Sequence, residues 1–192
     1  RQVSHGKHAD IDNFDACYLP GGKIIYASTA GFQGVPCIGG NGDVANLHVM
    51  NDDGTAVRRL TFDQDSNWSP YVMENGRVMY QRWEYADISH FWSRILFTMN
   101  PDGTDQKAYY GSNSFWPNTL FYGKSVPGSP SKFTAIVGNH HGVQRAGKLV
   151  LFDVAKGRVE ADGVIQGIPG LGKKIEPVVV DGFFTNSWPK IL

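Results

Sequence analysis

An all-β fold of repeated four-stranded units is what this sequence predicts, and three observations carry the prediction. The first is composition. Twenty-three Gly, 10 Pro and 12% aromatic residues in a chain of 192 favour short pleated segments broken by tight turns, because aromatic side chains suit a half-buried strand while Gly and Pro set turn dihedrals. The second is repetition. The stretch NLHVMNDDGTAVRRLTF from Asn46 recurs as RILFTMNPDGTDQKAYY from Arg94 and, more loosely, as KLVLFDVAKGRVEADGV from Lys148. A spacing of about 50 residues is that of a β-propeller blade. The third is alternation: in KIIYAST and RVMYQRW apolar and polar residues interleave, and no segment carries a sustained helical stripe with caps. The chain therefore reads as a β-propeller, partial or open, with about three four-stranded blades plus the start of a fourth.

The blades fall at about residues 14–62, 67–111 and 115–165, with the next starting near residue 187. In the first, FDACYLP is the inner strand, KIIYAS the second, NLHVM the third, and VRRLTF, ending at Phe62, the outer strand. In the second the same places are taken by NWSPYVM, RVMYQRW, RILFTM and QKAYY. In the third, FWPNTLF matches NWSPYVM by aligning Trp116 with Trp68, and SWPKIL opens the next copy. PGGK, ENGR, NDDGT and NPDGT supply the Gly or Asn that hairpin corners demand. Strand direction then places the links between second and third strands, and between blades, on one face of the propeller. These are long and chemically rich, and include AGFQGVPCIGGNGDVA, EYADISHFWS and NHHGVQRAG, whereas the opposite links are mostly tight. Binding residues concentrate on loops held by a rigid scaffold, which makes the long-loop face the functional one.

Charge and motifs exclude several classes. Lys+Arg and Asp+Glu balance at 18 each, so no global field recruits nucleic acid. No apolar run reaches the roughly 18 residues of a membrane span. The chain opens at Arg1 without an initiator Met or a signal-peptide pattern, and reads as a mature or excised segment. There is no nucleophile elbow, phosphate-cradling P-loop or dinucleotide fingerprint. GIPGLGKK lacks the spacing of a phosphate loop and reads as an insertion between blades.

NWSP with ENG, MNDDGT, MNPDGT and RRLTF resembles the TolB-type, WD-like propeller repeat. The run FDAC, LTFDQDSNWSP, RWEY, RILFTMNPDGT, YYGSNSFWPN and NHHG is more particularly similar to the propeller middle domain of hydrazine synthase alpha-subunit-like proteins, over about residues 10–192. That resemblance implies a propeller in an exported protein, periplasmic or extracellular, often associated with haem. The chain has no Cys-x-x-Cys-His motif for attaching haem.

Candidate site residues lie on the long-loop face. Arg82, Glu84, Asp87 and His90 follow one another closely: a guanidinium, two carboxylates and an imidazole that could grip a polar ligand, hold a divalent metal, or satisfy one another as a salt-bridge network. Trp92 on the same loop is the tryptophan placed to meet a ligand or partner, while Trp68, Trp83 and Trp116 read as blade core. His140 and His141, in GNHHG, are the metal-ligand candidates, with Asp65, Glu84, Asp87 and His90 as partners on the same face. The acidic and Asn-rich segments DIDNFDA, DQDSNWS and GSNSFWP read as structural, since Asp and Asn side chains hold backbone amides where strands begin. Cys17 and Cys37 are a disulfide candidate, the loop bearing Cys37 returning over the blade that holds Cys17.

Two functions follow. One is a binding or scaffold module of an exported protein that presents its long-loop face to another domain, a subunit or a ligand. The other is part of a metal-dependent or haem-associated enzyme with its site on the same face.

Overall fold

A computed structural model describes residues 2–4, 8–84, 93–114, 117, 119–138 and 147–166. Among the described residues, twelve strands fall into three groups of four. The first group is β1 (Asn13–Tyr18), β2 (Ile24–Ser28), β3 (Asn46–Met50) and β4 (Arg58–Arg59), antiparallel and paired in chain order. The second is β5 (Asn67–Val72), β6 (Val78–Glu84), β7 (Ser93–Met99) and β8 (Lys107–Tyr110), and the third is β9 (Thr119–Ser125), β10 (Lys132–Gly138), β11 (Lys148–Asp153) and β12 (Val164–Gln166). A parallel contact of Arg94 with Thr119 touches the second group to the third.

The groups stack as blades. β5 lies across β1, β2 and β3, and β9 lies across β5, β6 and β7, so each inner strand rests on the preceding blade. Alternation along β6 sends Val78 and Tyr80 into a core with Ile25, Ala27, Leu47 and Val49 of the first blade, and Met79 into a second core with Leu120, Phe133 and Phe152 of the third. Burying each of these large side chains contributes about 1.5–3 kcal/mol. The second core is the more aromatic. Phe133 and Phe152, opposite one another on β10 and β11, stack with centroids 4.7 Å apart, and Tyr110 meets both rings.

Repetition extends to single atoms in the turns. After β3, Asn51 Nδ2 donates to Thr55 Oγ1 at 2.9 Å, and the Thr55 amide and hydroxyl donate to Asp53 Oδ1 at 2.9 and 2.6 Å. After β7, Asn100, Asp102 and Thr104 form the same three bonds at 2.9, 3.0 and 2.7 Å. Gly54 and Gly103 both sit at φ +90°, where a side chain is strained, and a Cβ on Gly54 would stand 2.2 Å from the Val3 carbonyl oxygen.

A second repeated device is a bulge in each inner strand. Pairing shifts between Phe14 and Cys17 in β1 and between Trp68 and Tyr71 in β5. Asp15, Ser69 and, on β9, Tyr122 take left-handed φ of 53°, 50° and 53°. The bulges link blades: Asp15 Oδ2 accepts from the Ser69 amide at 3.0 Å and from its hydroxyl at 2.9 Å. They also correct the alignment of the third inner strand. With Tyr122 in the place of Ser69, the counterpart of Trp68 is Phe121, and Trp116 lies outside the described residues. The first outer strand is likewise shorter than its sequence suggests. β4 ends at Arg59, because Leu60 N donates to Leu47 O at 2.7 Å and Leu47 N donates to the Thr61 hydroxyl at 2.9 Å, which closes the ladder before Phe62.

Candidate functional site

The upper ends of the blades, where β5 begins, β6 ends and β7 begins, gather a polar cluster around two tryptophans. Arg82 and Glu84 are the last residues of β6 on alternate positions, so their side chains leave the strand on the same side. Arg82 Nη2 meets Asp63 Oδ1 at 3.0 Å, and its Nε meets Glu84 Oε1 at 2.6 Å. The Arg82 guanidinium also lies 4.6 Å from the centroid of Phe97. Arg82, Asp63 and Glu84 thus form an ion-pair network among the described residues.

Arg94 opens the other half of the cluster. It stands opposite Trp83 across the β6–β7 ladder, with its guanidinium carbon 4.8 Å from the Trp83 ring and 5.3 Å from the Trp68 ring. The indoles are themselves stacked at 6.3 Å and 22°, and they pack with Val35, Val44 and Cys37 from the first blade. Burial pushes the Arg94 guanidinium down to about 10, against the opposing influence of Cys37 and Asp65.

Asp65 was not singled out as a site in its own right, and it is the most unusual residue here. It is 2% exposed, and among the described residues neither carboxylate oxygen has a hydrogen-bond partner. Burial lifts its carboxyl to about 6; Arg94 opposes that shift and Asp63 adds to it. A buried carboxylate is tolerated only with compensation, so Asp65 carries unused acceptor capacity beside a partly buried cation. Among its neighbours, Ala45 N donates to Ser66 Oγ at 3.1 Å, Asn46 Nδ2 donates to Asn67 Oδ1 at 3.2 Å, and Arg59 donates to Asn46 Oδ1, while Asn67 Nδ2 has no hydrogen-bond partner among the described residues. In the DQDSNWS segment it is Ser66 that holds a backbone amide, while Asn67 bonds to the Asn46 side chain. The departure of Asp65 from that role shows only in three dimensions. Arg94 was equally hidden, because a cation at the start of an apolar strand reads as a solvated end.

Asp87, His90, Trp92, His140 and His141 lie outside the described residues. Among the described residues, no group of three or more His, Cys, Asp and Glu gathers to hold a metal. The expected disulfide is not formed: Cys17 and Cys37 are both free thiols. Cys17 pairs with Ile25 next to the lower hairpin and packs against the first core, whereas Cys37 sits in the short 3-10 turn Pro36–Ile38 on the upper loop, against the Trp68–Trp83 cluster. Asn13 marks the upper end of β1, and the strand rise of about 3.3 Å per residue puts Cys17 roughly 13 Å below it, too far for a bond that needs Cα atoms within about 7 Å.

No family model matches the sequence, and no curated protein does. Among solved structures, the chain is similar to Kuenenia stuttgartiensis hydrazine synthase, with a TM-score of 0.57 and 14% identity over 69% of this chain and 20% of that one. It is also similar to TolB from Acinetobacter baumannii, with a TM-score of 0.48 and 13% identity over 74% of this chain and 30% of that one. The fold is that of a β-propeller. The chain spans about a fifth of the length of the hydrazine synthase chain and 30% of that of TolB. No helix among the described residues is long and apolar enough to cross a membrane.

Proposed function

We propose that this chain is the binding or scaffold module of a larger exported protein, and that its upper face receives a neighbouring domain, a subunit or a ligand. The observation that carries this is Asp65. A carboxylate 2% exposed with both oxygens unpartnered among the described residues holds acceptor capacity that an incoming donor or cation would fill. The Trp68–Trp83 stack with Arg94 supplies a rigid apolar and cationic wall beside it, and aromatic and Arg side chains are those that anchor interfaces. Export follows from the sequence resemblance, and a place within a larger protein agrees with the small share of each similar chain that is covered.

The experiment is site-specific photo-crosslinking in the source cells. A label at exposed Asn41, on the upper loop, should give one defined crosslinked product, and a label at exposed Asp52, on a lower turn, should not. Equal products from both, or none from Asn41, would refute the assignment of the face. Stoichiometric divalent metal in the purified chain would replace this reading with a metal-dependent one that includes His140 and His141.

A further inference from the structure

The lower end of the joint between the second and third blades is open where the joint before it is closed. Between the first and second blades, outer strand and turn meet directly: Arg58 Nη2 donates to Asp102 O at 2.9 Å, Gln106 Nε2 donates to Leu60 O at 3.0 Å, and Leu60 packs so tightly on Gly103 that an added Cβ would stand 3.1 Å away. Between the second and third blades a cleft of about 410 Å³ remains, within the roughly 300–1,000 Å³ of small-molecule sites.

Its lining mixes cationic, polar and apolar side chains, Asn75 and Thr98 among the polar ones. Arg77, Lys107 and Arg158 line it with Met73, Tyr109 and Val154, and no carboxylate does. The acid serving these cations is Asp105, which takes Arg77 Nη1 at 2.7 Å and Lys107 Nζ at 2.9 Å. Arg158 makes no ion pair among the described residues. It donates to the Tyr109 carbonyl at 2.9 Å and lies over the Tyr109 ring at 5.3 Å. The nearby Asp153 is already engaged by the amide of Ala155 at 3.0 Å and by the Ser131 hydroxyl. Arg77, Lys107 and Arg158 bring three cations to the lining, and the carboxylate that ion-pairs with any of them among the described residues is Asp105. The buried Nε of Arg77 is a donor with no hydrogen-bond partner among the described residues.

We infer that this cleft is a binding site for a small organic oxyanion, a carboxylate or phosphate ester with an apolar body. The charged end meets Lys107 and Arg158, and the body lies against Tyr109, Met73 and Val154. Guanidinium groups suit oxyanions because their planar donor fork matches paired oxygens, and apolar contact with Met73, Tyr109 and Val154 favours an oxyanion that carries an apolar body over a bare inorganic ion. The site lies at the opposite end of the blades from the upper cluster and stands independently of it.

Titration of the full chain with benzoate, phenyl phosphate, benzyl alcohol and inorganic phosphate, followed by amide chemical shifts, tests this. Benzoate or phenyl phosphate should saturate shifts of residues 107–109 and 154–158. Affinity should fall at least tenfold in Arg158→Gln and in Lys107→Gln, and benzyl alcohol and inorganic phosphate should bind at least tenfold more weakly. Lys107 is exposed, its side chain 58% accessible, so that variant keeps the fold even if Arg158→Gln does not. No saturable shift, equal binding of benzyl alcohol, equal binding of inorganic phosphate, or undiminished binding by Lys107→Gln would each overturn the proposal.

Discussion

The two ends of the blades treat the same side chain in opposite ways. At the lower end, Asp102 sits in a turn that hands it two donors, the amide and hydroxyl of Thr104, which hold its carboxyl below the usual range. At the upper end, Asp65 is buried without a described donor and its carboxyl is pushed up to about 6. The difference is one of supply. A five-residue turn brings its own hydrogen-bond partners wherever it occurs, whereas a residue between blades depends on what two separate sheets happen to offer. Lower-end aspartates are therefore parts of the scaffold, and Asp65 is held at a cost that the scaffold does not explain.

The largest effect should come from removing the cation that offsets this cost. Arg94→Ala takes away the charge facing Asp65 and the contact with two indoles, and should lower stability by about 3 kcal/mol in denaturant titrations near pH 8. A loss under about 1 kcal/mol would mean that Asp65 is compensated from elsewhere. Next is the pH dependence of Asp65. Its folded pKa is raised above the ordinary carboxylate value, so the native state binds the proton more tightly and stability falls as pH rises from about 4 to about 6. Each pH unit is worth about 1.4 kcal/mol, which gives a ceiling of roughly 3. Asp65→Asn should flatten that limb, and an unchanged slope would remove Asp65 as its origin. Below this range the sign reverses. Asp102, Asp105 and Asp153 have lowered pKa values, so their contribution is present above the unfolded pKa and is lost as pH falls through the folded one.

Smaller effects belong to the lower end. Thr104→Val removes the hydroxyl from a turn in which it both donates and accepts, and should cost about 1 kcal/mol, as should Thr55→Val in the twin turn. A marked difference between the two would show that the turns are alike in geometry but not in energy. Lys107→Gln, which breaks an exposed pair with Asp105, should leave the unfolding midpoint unmoved within error.

What was legible in the sequence was whatever is local. Asn51 to Thr55 and Asn100 to Thr104 announce their turns because every partner lies within five residues, and strand alternation announces the two faces of β6. What was not legible depends on geometry between distant segments. The bulges at Asp15, Ser69 and Tyr122 use left-handed backbone at residues that carry no Gly signature, so the third inner strand was aligned on Trp116 when its bulge makes Phe121 the match. Cys17 and Cys37 share a blade but not an end of it. Arg82 and Glu84 were read on the correct face, yet their partner Asp63 and the neighbouring Asp65 belong to the crossing that looked merely structural.

Strand contacts join the first blade to the second and the second to the third, which couples the described blades in series. Among the described residues, the two joints meet in the second blade, which both share. β6 and β7 are two of its strands. Beside its lower end β6 has Arg77, and β7 has Thr98 near its own lower end, both in the oxyanion cleft; the opposite ends carry Arg82, Glu84 and Arg94. Seven residues of each strand make two stiff rods about 20 Å long, which link the two ends of the second blade directly.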